Sequence, residues 1–282
     1  MQYTNCNLCG AYETSVIAIQ DDYRMVRCAR CGLVYLNPRP EPEILTTMYN
    51  DYHQRDGRDG ETWAVLMEKN FRDASALLNR TFPERGKLLD IGCGYGHFVG
   101  IMQSLGWDAT GIEPSPRTVN HARRKGLHVI ESTLDTAVFS ENYFEAVTAF
   151  YVLEHLFDPL ASLRKIFSVL KPGGMLILRV PHTTPVVAML GAFGIKNRLY
   201  DPPFHLYDFC PKTLKTLFEH SGFESVRIMP GSPTLPFKYS ERIISVAAGN
   251  LSRFLFSISR GKILLPGVSK TVVASKPVFE TT

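Results

Sequence analysis

No apolar run in this sequence is long enough to cross a bilayer. The longest candidate, residues 186–195, has about half the length that a membrane-spanning helix needs. The first residues also lack the basic and apolar regions of a secretory signal. We therefore expect a cytoplasmic protein. Its 282 residues, of which 45% are hydrophobic, are enough for one large core and a small appended module.

Two phosphate-binding motifs are missing from the chain. A dinucleotide-binding fingerprint would need a third glycine at the position of His97, and no loop ends in Gly-Lys-Ser or Gly-Lys-Thr. A glycine-rich turn is nevertheless present, because the apolar run 88–91 breaks into Gly92, Gly94 and Gly96. Such a turn lets the backbone pass close to a ligand. It predicts a pocket for a nucleoside without phosphates, and the alternative is a plain strand-to-helix connection.

An acidic residue follows this turn at a spacing that suits a nucleoside pocket. Glu113 lies about twenty residues after the glycines and ends a second apolar stretch, 109–112. A carboxylate at the tip of the neighbouring strand can accept hydrogen bonds from both ribose hydroxyls. The combination favours the ligand-binding interpretation of the glycines over the purely structural one.

These residues resemble the first motifs of the class I S-adenosylmethionine-dependent methyltransferases, and the resemblance covers roughly residues 61–282. It implies S-adenosylmethionine as the cofactor, with its adenine near residues 112 and 132–135, its ribose on Glu113 and its methionine part near Asp90. Ordinary loop packing is the alternative role for Thr133 and Leu134. The cofactor-binding residues expected from turn and resemblance are Asp90, Gly92, Gly94, Gly96, Ile112, Glu113, Thr133, Leu134 and Phe150.

The rest of the chain alternates between strand and helix patterns. Strand patterns cover 88–91, 109–113, 127–130, 144–150 and 175–180, and helical patterns separate them. This alternation predicts an α/β fold with a Rossmann-like, doubly wound and mostly parallel sheet. In such sheets the ligand binds at the carboxyl ends of the strands.

Four cysteines near the start form a second motif. Cys6, Cys9, Cys28 and Cys31 make two Cys-x-x-Cys pairs separated by eighteen residues. Four thiolates close a tetrahedral zinc site and leave no open position, so we expect structural zinc in a zinc-ribbon-like module over residues 1–60. Disulfides are the alternative, which a cytoplasmic protein disfavours.

Methyl transfer to a protonated acceptor needs a base, and histidine titrates in the appropriate range. Candidates that follow the fourth or fifth strand or lie shortly beyond are His155, His182, His205 and Tyr207. His155 is the first choice, because its segment resembles the one that faces the methyl group in this superfamily. Glu154 is expected to orient a histidine or to bind substrate hydroxyls. A structural role is the alternative for each histidine.

The absence of further sequence motifs narrows the range of possible methyl acceptors. After the fourth strand there is neither an Asn-Pro-Pro-Tyr or Asp-Pro-Pro-Tyr motif for exocyclic amines nor a Pro-Cys nucleophile for pyrimidine carbons. Residues 1–60 carry six arginines against eight acidic residues, which argues against a nucleic-acid partner. The layout resembles bacterial methyltransferases with an N-terminal zinc module, some of which act on sugars. We expect a small-molecule or glycan substrate, and the alternatives are RNA and a non-catalytic cofactor-binding protein.

Two C-terminal segments suggest further roles. The insertion 183–210 is expected to form a lid over the substrate, or else an additional packed helix. Residues 239–262 predict an amphipathic helix that packs on its own domain or makes peripheral contact with an anionic membrane. Residues 227–282 carry eight basic against two acidic side chains, which also suits a lipid-linked or nucleotide-linked acceptor.

Overall fold

The computed structural model describes residues 1–50, 60–233, 239–261, 264–265 and 269–278. The chain begins with an antiparallel sheet in which β2 pairs with both β1 and β3. The three strands are β1 (Thr14–Gln20), β2 (Tyr23–Cys28) and β3 (Val34–Leu36), and two helices follow, α1 (Pro42–Asn50) and α2 (Gly60–Thr81).

A seven-stranded sheet forms the centre of the molecule. Its strands are β4 (Lys87–Ile91), β5 (Asp108–Glu113), β6 (Val129–Glu131), β7 (Phe144–Phe150), β8 (Leu170–Val180), β10 (Glu224–Pro230) and β11 (Lys270–Ser275). Their order is β10-β11-β8-β7-β4-β5-β6. Strand β11 runs antiparallel to the other six, which are parallel to one another. The predicted doubly wound, mostly parallel sheet is confirmed.

Helices cover both faces of this sheet. Besides α2, they are α3 (His97–Ser104), α4 (Pro116–Arg124), α5 (Pro159–Val169), α7 (Pro211–His220) and α8 (Tyr239–Ile258). Helix α6 (Thr184–Ala192) lies beside β1 of the N-terminal sheet instead. Leu88 and Leu89 of β4 are fully buried and belong to separate apolar clusters. Because neighbouring residues of a strand face opposite sides of the sheet, β4 is buried on both faces. Its sequence is therefore an apolar run rather than an alternation of apolar and polar residues.

The N-terminal sheet is completed from far along the chain. Strand β9 (Tyr207–Asp208) pairs antiparallel with β3, and one apolar cluster runs from the cysteine segment into the central sheet. The predicted module boundary near residue 60 adjoins residues 51–59, which lie outside the described residues. The division into domains at that point stays a prediction.

The apolar face predicted for 239–262 is turned outward. Ile243, Leu251, Phe254 and Ile258 are each more than half exposed, whereas Gly249 and Ser252 are buried. The expectation that its apolar face packs inward is wrong for these four, whereas Leu255 of the same face is half-buried. Arg242, Ile244 and Lys262 of that prediction have side chains outside the described set. Membrane contact stays a prediction, and no described helix is long and apolar enough to span a bilayer.

Candidate functional site

A cavity of about 510 Å³ opens at the carboxyl ends of β4, β5 and β7. This is the edge at which the alternating pattern predicted a ligand. Residues from both the glycine-rich turn and the segment after β7 line it, as does Pro42, which lies well before the first strand of the central sheet. The lining consists of Pro42, Ile91, Gly92, Ile112, Glu113, Pro114, residues 132–136, Tyr151, Val152, His155, Leu156 and Phe157.

Glu113 organises the glycine-rich turn as well as the cavity wall. Its two carboxylate oxygens accept hydrogen bonds from the backbone N–H groups of Gly94 and Ser115, each at 3.0 Å. The side chain is only 4% exposed. Because each carboxylate oxygen can accept more than one hydrogen bond, the predicted bonds from ribose hydroxyls remain compatible with these contacts.

The turn itself requires glycine for two different reasons. Gly92 has φ of 64°, and a Cβ atom there would lie 2.6 Å from a methyl group of Val152. Gly94 has φ of 52°, and its surroundings are open. Both conformations are rare for residues with a side chain. Gly92 lines the cavity, whereas Gly94 and Gly96 shape the turn and Gly96 precedes α3.

Asp90 lies behind the cavity wall. Its carboxylate accepts a 2.6 Å hydrogen bond from the Thr148 hydroxyl and is 3% exposed. Burial, with a smaller contribution from the charge of Glu113, raises the pKa of Asp90 to about 7. The side chain does not belong to the cavity lining, so contact with a cofactor stays a prediction.

Phe150 faces away from this cavity. Its ring packs against Phe71 and Phe98 in the core, with centroid distances of 5.2 and 5.0 Å. Tyr151 and Val152, the next two residues, line the cavity instead. Strand β7 directs the Phe150 side chain toward α2 and α3, so a place for Phe150 near the cofactor stays a prediction.

Two of the predicted histidines come together. The rings of His155 and His205 have centroids 4.8 Å apart, and His155 lines the cavity. Nδ1 of His155 lies 2.9 Å from the carbonyl oxygen of Phe204. Since a carbonyl oxygen only accepts, Nδ1 carries a proton, and in the neutral ring Nε2 then carries the lone pair. The carboxylate of Glu154 lies within 4.8 Å of a ring nitrogen of each histidine, and burial raises its pKa to about 8.

His182 and Tyr207 lie outside the cavity lining. The Tyr207 hydroxyl donates to the carbonyl oxygen of Phe157 at 2.9 Å, and burial raises its pKa to about 12. His182 is 8% exposed. Burial and the positive charge of Lys270 lower the pKa of His182 to about 4, so its ring is neutral at pH 7.

This neutral histidine is expected to make folding sensitive to mild acid. Between about pH 6.5 and 4 the unfolded chain binds a proton at His182 and the native chain does not, so stability falls as the pH falls. We expect His182→Gln to reduce the loss of unfolding free energy between pH 7.5 and 5 by about 1 to 2 kcal/mol. Urea unfolding at the two pH values measures this loss of unfolding free energy. Replacing the exposed His220 with glutamine serves as the control, and an unchanged pH dependence in His182→Gln contradicts the assignment.

The four predicted cysteines form one cluster. Sγ of Cys6 lies 3.4 Å from Sγ of Cys31, Sγ of Cys9 lies 3.5 Å from that of Cys28, and all four sulfurs are within 4.8 Å of one another. With Zn–S bonds of about 2.3 Å, a tetrahedral site separates its sulfurs by about 3.8 Å. The donor set and its spacing fit zinc, and the thiols form no disulfides.

Sequence reasoning missed part of the cavity wall. Pro42 comes from the N-terminal region, and Leu156 and Phe157 follow the histidine that was singled out. The apolar pair after His155 was a usable signal, since it continues the segment that follows β7. Nothing in the local sequence marks Pro42, because its contact depends on how the N-terminal sheet docks.

Curated proteins similar to this chain include two O-methyltransferases. A ubiquinone biosynthesis O-methyltransferase from Xanthomonas axonopodis pv. citri is 34% identical over 156 residues, which cover 51% of this chain and 65% of that protein. The protein of the same name from Xanthomonas campestris pv. campestris is 38% identical over 136 residues, which cover 44% of this chain and 56% of that protein. The chain thus spans between about half and two thirds of the length of these relatives.

A solved structure shows the same fold. Phosphoethanolamine N-methyltransferase 2 of Haemonchus contortus, in complex with S-adenosyl-L-methionine, superposes with a TM-score of 0.53 at 16% identity, over 81% of this chain and 60% of that one. At this identity the likeness concerns the fold alone. A family model described as a methyltransferase domain matches residues 66–228, more than half of the chain. With its Rossmann-like sheet and the cavity at the expected edge, the chain belongs to the methyltransferase domain family.

Proposed function

We propose that this protein transfers a methyl group from S-adenosylmethionine to a hydroxyl oxygen of a small-molecule or glycan acceptor. The observation that carries the proposal is the position of His155 on the wall of the cavity that Gly92 and Glu113 also line. Family membership supports the methyl donor. The printed names of the Xanthomonas relatives, which are O-methyltransferases, favour oxygen over nitrogen or carbon as the atom methylated.

The cavity has the chemistry that an adenosyl group needs. Ile112 and Leu134 are both almost fully buried and offer apolar surface beside the polar edge of Glu113. Aromatic bases bind between apolar side chains, whereas ribose hydroxyls need acceptors. A volume of about 510 Å³ lies within the range of small-molecule sites.

His155 is proposed as the general base. When bound, S-adenosylmethionine supplies a sulfonium methyl group that is displaced in line, and the C–S electron pair stays on sulfur. Nε2 of His155 takes the proton of the acceptor hydroxyl, so that its oxygen forms the new bond to carbon. The bond from Nδ1 to the Phe204 carbonyl oxygen holds the ring in the tautomer that this role requires.

His205 and Glu154 are proposed to support that ring. His205 packs edge-to-face on His155, at an interplanar angle of 68°, which restricts its rotation. Glu154 is fully buried within 4.8 Å of a ring nitrogen of each histidine, and its raised pKa keeps much of the carboxyl group neutral near pH 7. His182 and Tyr207 are not proposed as bases, since neither lines the cavity.

The N-terminal cysteine cluster is proposed to hold one structural zinc ion. Four thiolates leave no coordination position for water or substrate, so the metal would act on folding rather than on the reaction. The acidic balance of this region argues against RNA as its partner. A lipid-linked or nucleotide-linked acceptor agrees with the basic C-terminal region.

Replacing His155 with alanine is expected to lower kcat about 100-fold, the lower end of what a positioned base contributes. The affinity for S-adenosylmethionine should change little, because the imidazole is proposed to act on the acceptor. Transfer of labelled methyl groups to phenols and to nucleotide-linked sugars measures the rate, and calorimetry measures the affinity.

The exposed His220 provides the matched control, and His220→Ala should keep both values. A wild-type protein that binds no S-adenosylmethionine would remove the proposed function. Full turnover in His155→Ala, in a protein that does bind it, would remove only the base assignment.

A further inference from the structure

Arg39 reaches from the N-terminal region to the wall of the cofactor cavity. Its Nη1 donates a 2.8 Å hydrogen bond to the carbonyl oxygen of Phe157, and its guanidinium carbon lies 4.7 Å from the centroid of the Phe157 ring. One side chain thus holds both the backbone and the ring of one residue. Phe157 is half-buried and lines the cavity.

The same guanidinium is tied to β9. Nη1 of Arg39 also lies 3.1 Å from the Tyr207 hydroxyl oxygen, which donates its own proton to the Phe157 carbonyl at 2.9 Å. That carbonyl oxygen therefore accepts two hydrogen bonds from outside its own segment. Arg39 and Tyr207 together fix the loop that begins two residues after His155.

The backbone of Arg39 is anchored independently of this contact. Its N–H and C=O groups exchange hydrogen bonds with Gln2, at 3.0 and 2.7 Å. Leu36, just before it, donates to the carbonyl oxygen of Leu206 at 2.8 Å. Pro42, three residues after Arg39, itself lines the cavity. Hydrogen bonds at Leu36 and at the Arg39 backbone therefore hold this segment while the Arg39 side chain reaches the cavity wall.

We propose that Arg39 is a positioning residue for the cofactor cavity and acts through Phe157. The inference rests on the proposed function, since it takes this cavity to be the S-adenosylmethionine site. Without the guanidinium, the Phe157 ring loses a cation–π partner and its carbonyl loses one of two donors. The wall then occupies its binding-competent arrangement for a smaller fraction of the time, and the apparent affinity falls by that fraction.

A purely structural role would have a different consequence. Arg39 would then only attach the N-terminal sheet to the central one, and any equally destabilising change in that sheet would have the same effect. Met25 allows the comparison, because it is fully buried in β2 and does not line the cavity. Met25→Ala is expected to lower the thermal midpoint at least as much as Arg39→Ala does.

The test is the dissociation constant of S-adenosylmethionine, measured by calorimetry on the full chain at a temperature where every variant is folded. Arg39→Ala should weaken binding about tenfold and Met25→Ala less than twofold. Arg39→Lys, which keeps the charge and one donor, should recover part of the loss. Arg24→Ala, a change of an exposed arginine in the same sheet, should bind as the wild type does.

Three outcomes would overturn the proposal. Equal affinity in Arg39→Ala and the wild type would remove the role of Arg39 and leave the proposed function standing. A loss in Met25→Ala as large as in Arg39→Ala would assign the effect to general destabilisation. A wild-type protein that binds no S-adenosylmethionine would overturn the proposed function and this inference with it.

Discussion

Cys6→Ser is expected to release zinc and to lower the free energy of unfolding by about 4 kcal/mol or more. Structural zinc ions contribute about 10–16 kcal/mol in small peptides at neutral pH, and serine removes one of four thiolate ligands. The N-terminal sheet has only three strands of its own, of seven, six and three residues, and small units of this size gain much of their stability from a bound metal. Elemental analysis measures the zinc, and urea unfolding measures the stability.

Cys210→Ser is the matched control, because this cysteine is exposed and lies outside the cluster. It should retain about one zinc per chain and the stability of the wild type. Wild-type protein grown with zinc yet containing none would remove the metal assignment. So would a Cys6→Ser protein that binds as much zinc as the wild type.

The loss of stability in Cys6→Ser should extend beyond the cysteine cluster. Strand β3 follows the last ligand, Cys31, by a few residues and pairs with β9, which itself follows His205. The carbonyl of Leu206, between the histidine and β9, accepts from Leu36 of β3. Hence the proposed metal site is linked through two short strands to a candidate catalytic histidine, although the two are far apart in sequence.

What could be predicted from the sequence is what local spacing determines. The positions of Gly92, Gly94 and Glu113 follow from a strand, a turn and a neighbouring strand, and the structure joins Gly94 to Glu113 by a direct hydrogen bond. The two Cys-x-x-Cys pairs likewise predicted their own convergence. In both cases the pattern and the contact belong to short, regular units.

What could not be predicted depends on packing between distant segments. Strand β9 consists of two residues and gains its partner only when the N-terminal sheet docks. The contact from Arg39 to Phe157 joins positions 118 apart in the chain. The prediction of how α8 is oriented failed for a different reason. The amphipathic pattern identified the helix, but Gly249 and Ser252 are buried, whereas four of its large apolar side chains are more than half exposed.

Glu113→Ala should weaken the binding of S-adenosylmethionine about a thousandfold. The carboxylate is proposed to accept hydrogen bonds from two ribose hydroxyls, and bonds to a charged group contribute about 1.5–3 kcal/mol each. The change also leaves the N–H groups of Gly94 and Ser115 without their carboxylate acceptor, which loosens the turn. A combined loss of about 4 kcal/mol corresponds to three powers of ten in the dissociation constant.

Glu131 offers a closely matched control for this prediction. It pairs with Glu113 in register on the neighbouring strand β6 and ends that strand as Glu113 ends β5, but its side chain is exposed. Glu131→Ala should therefore bind the cofactor as the wild type does, in the same calorimetric titration. If Glu113→Ala remains folded and binds within threefold of the wild type, the carboxylate does not hold the ribose, and the cavity recognises the nucleoside mainly through its apolar wall.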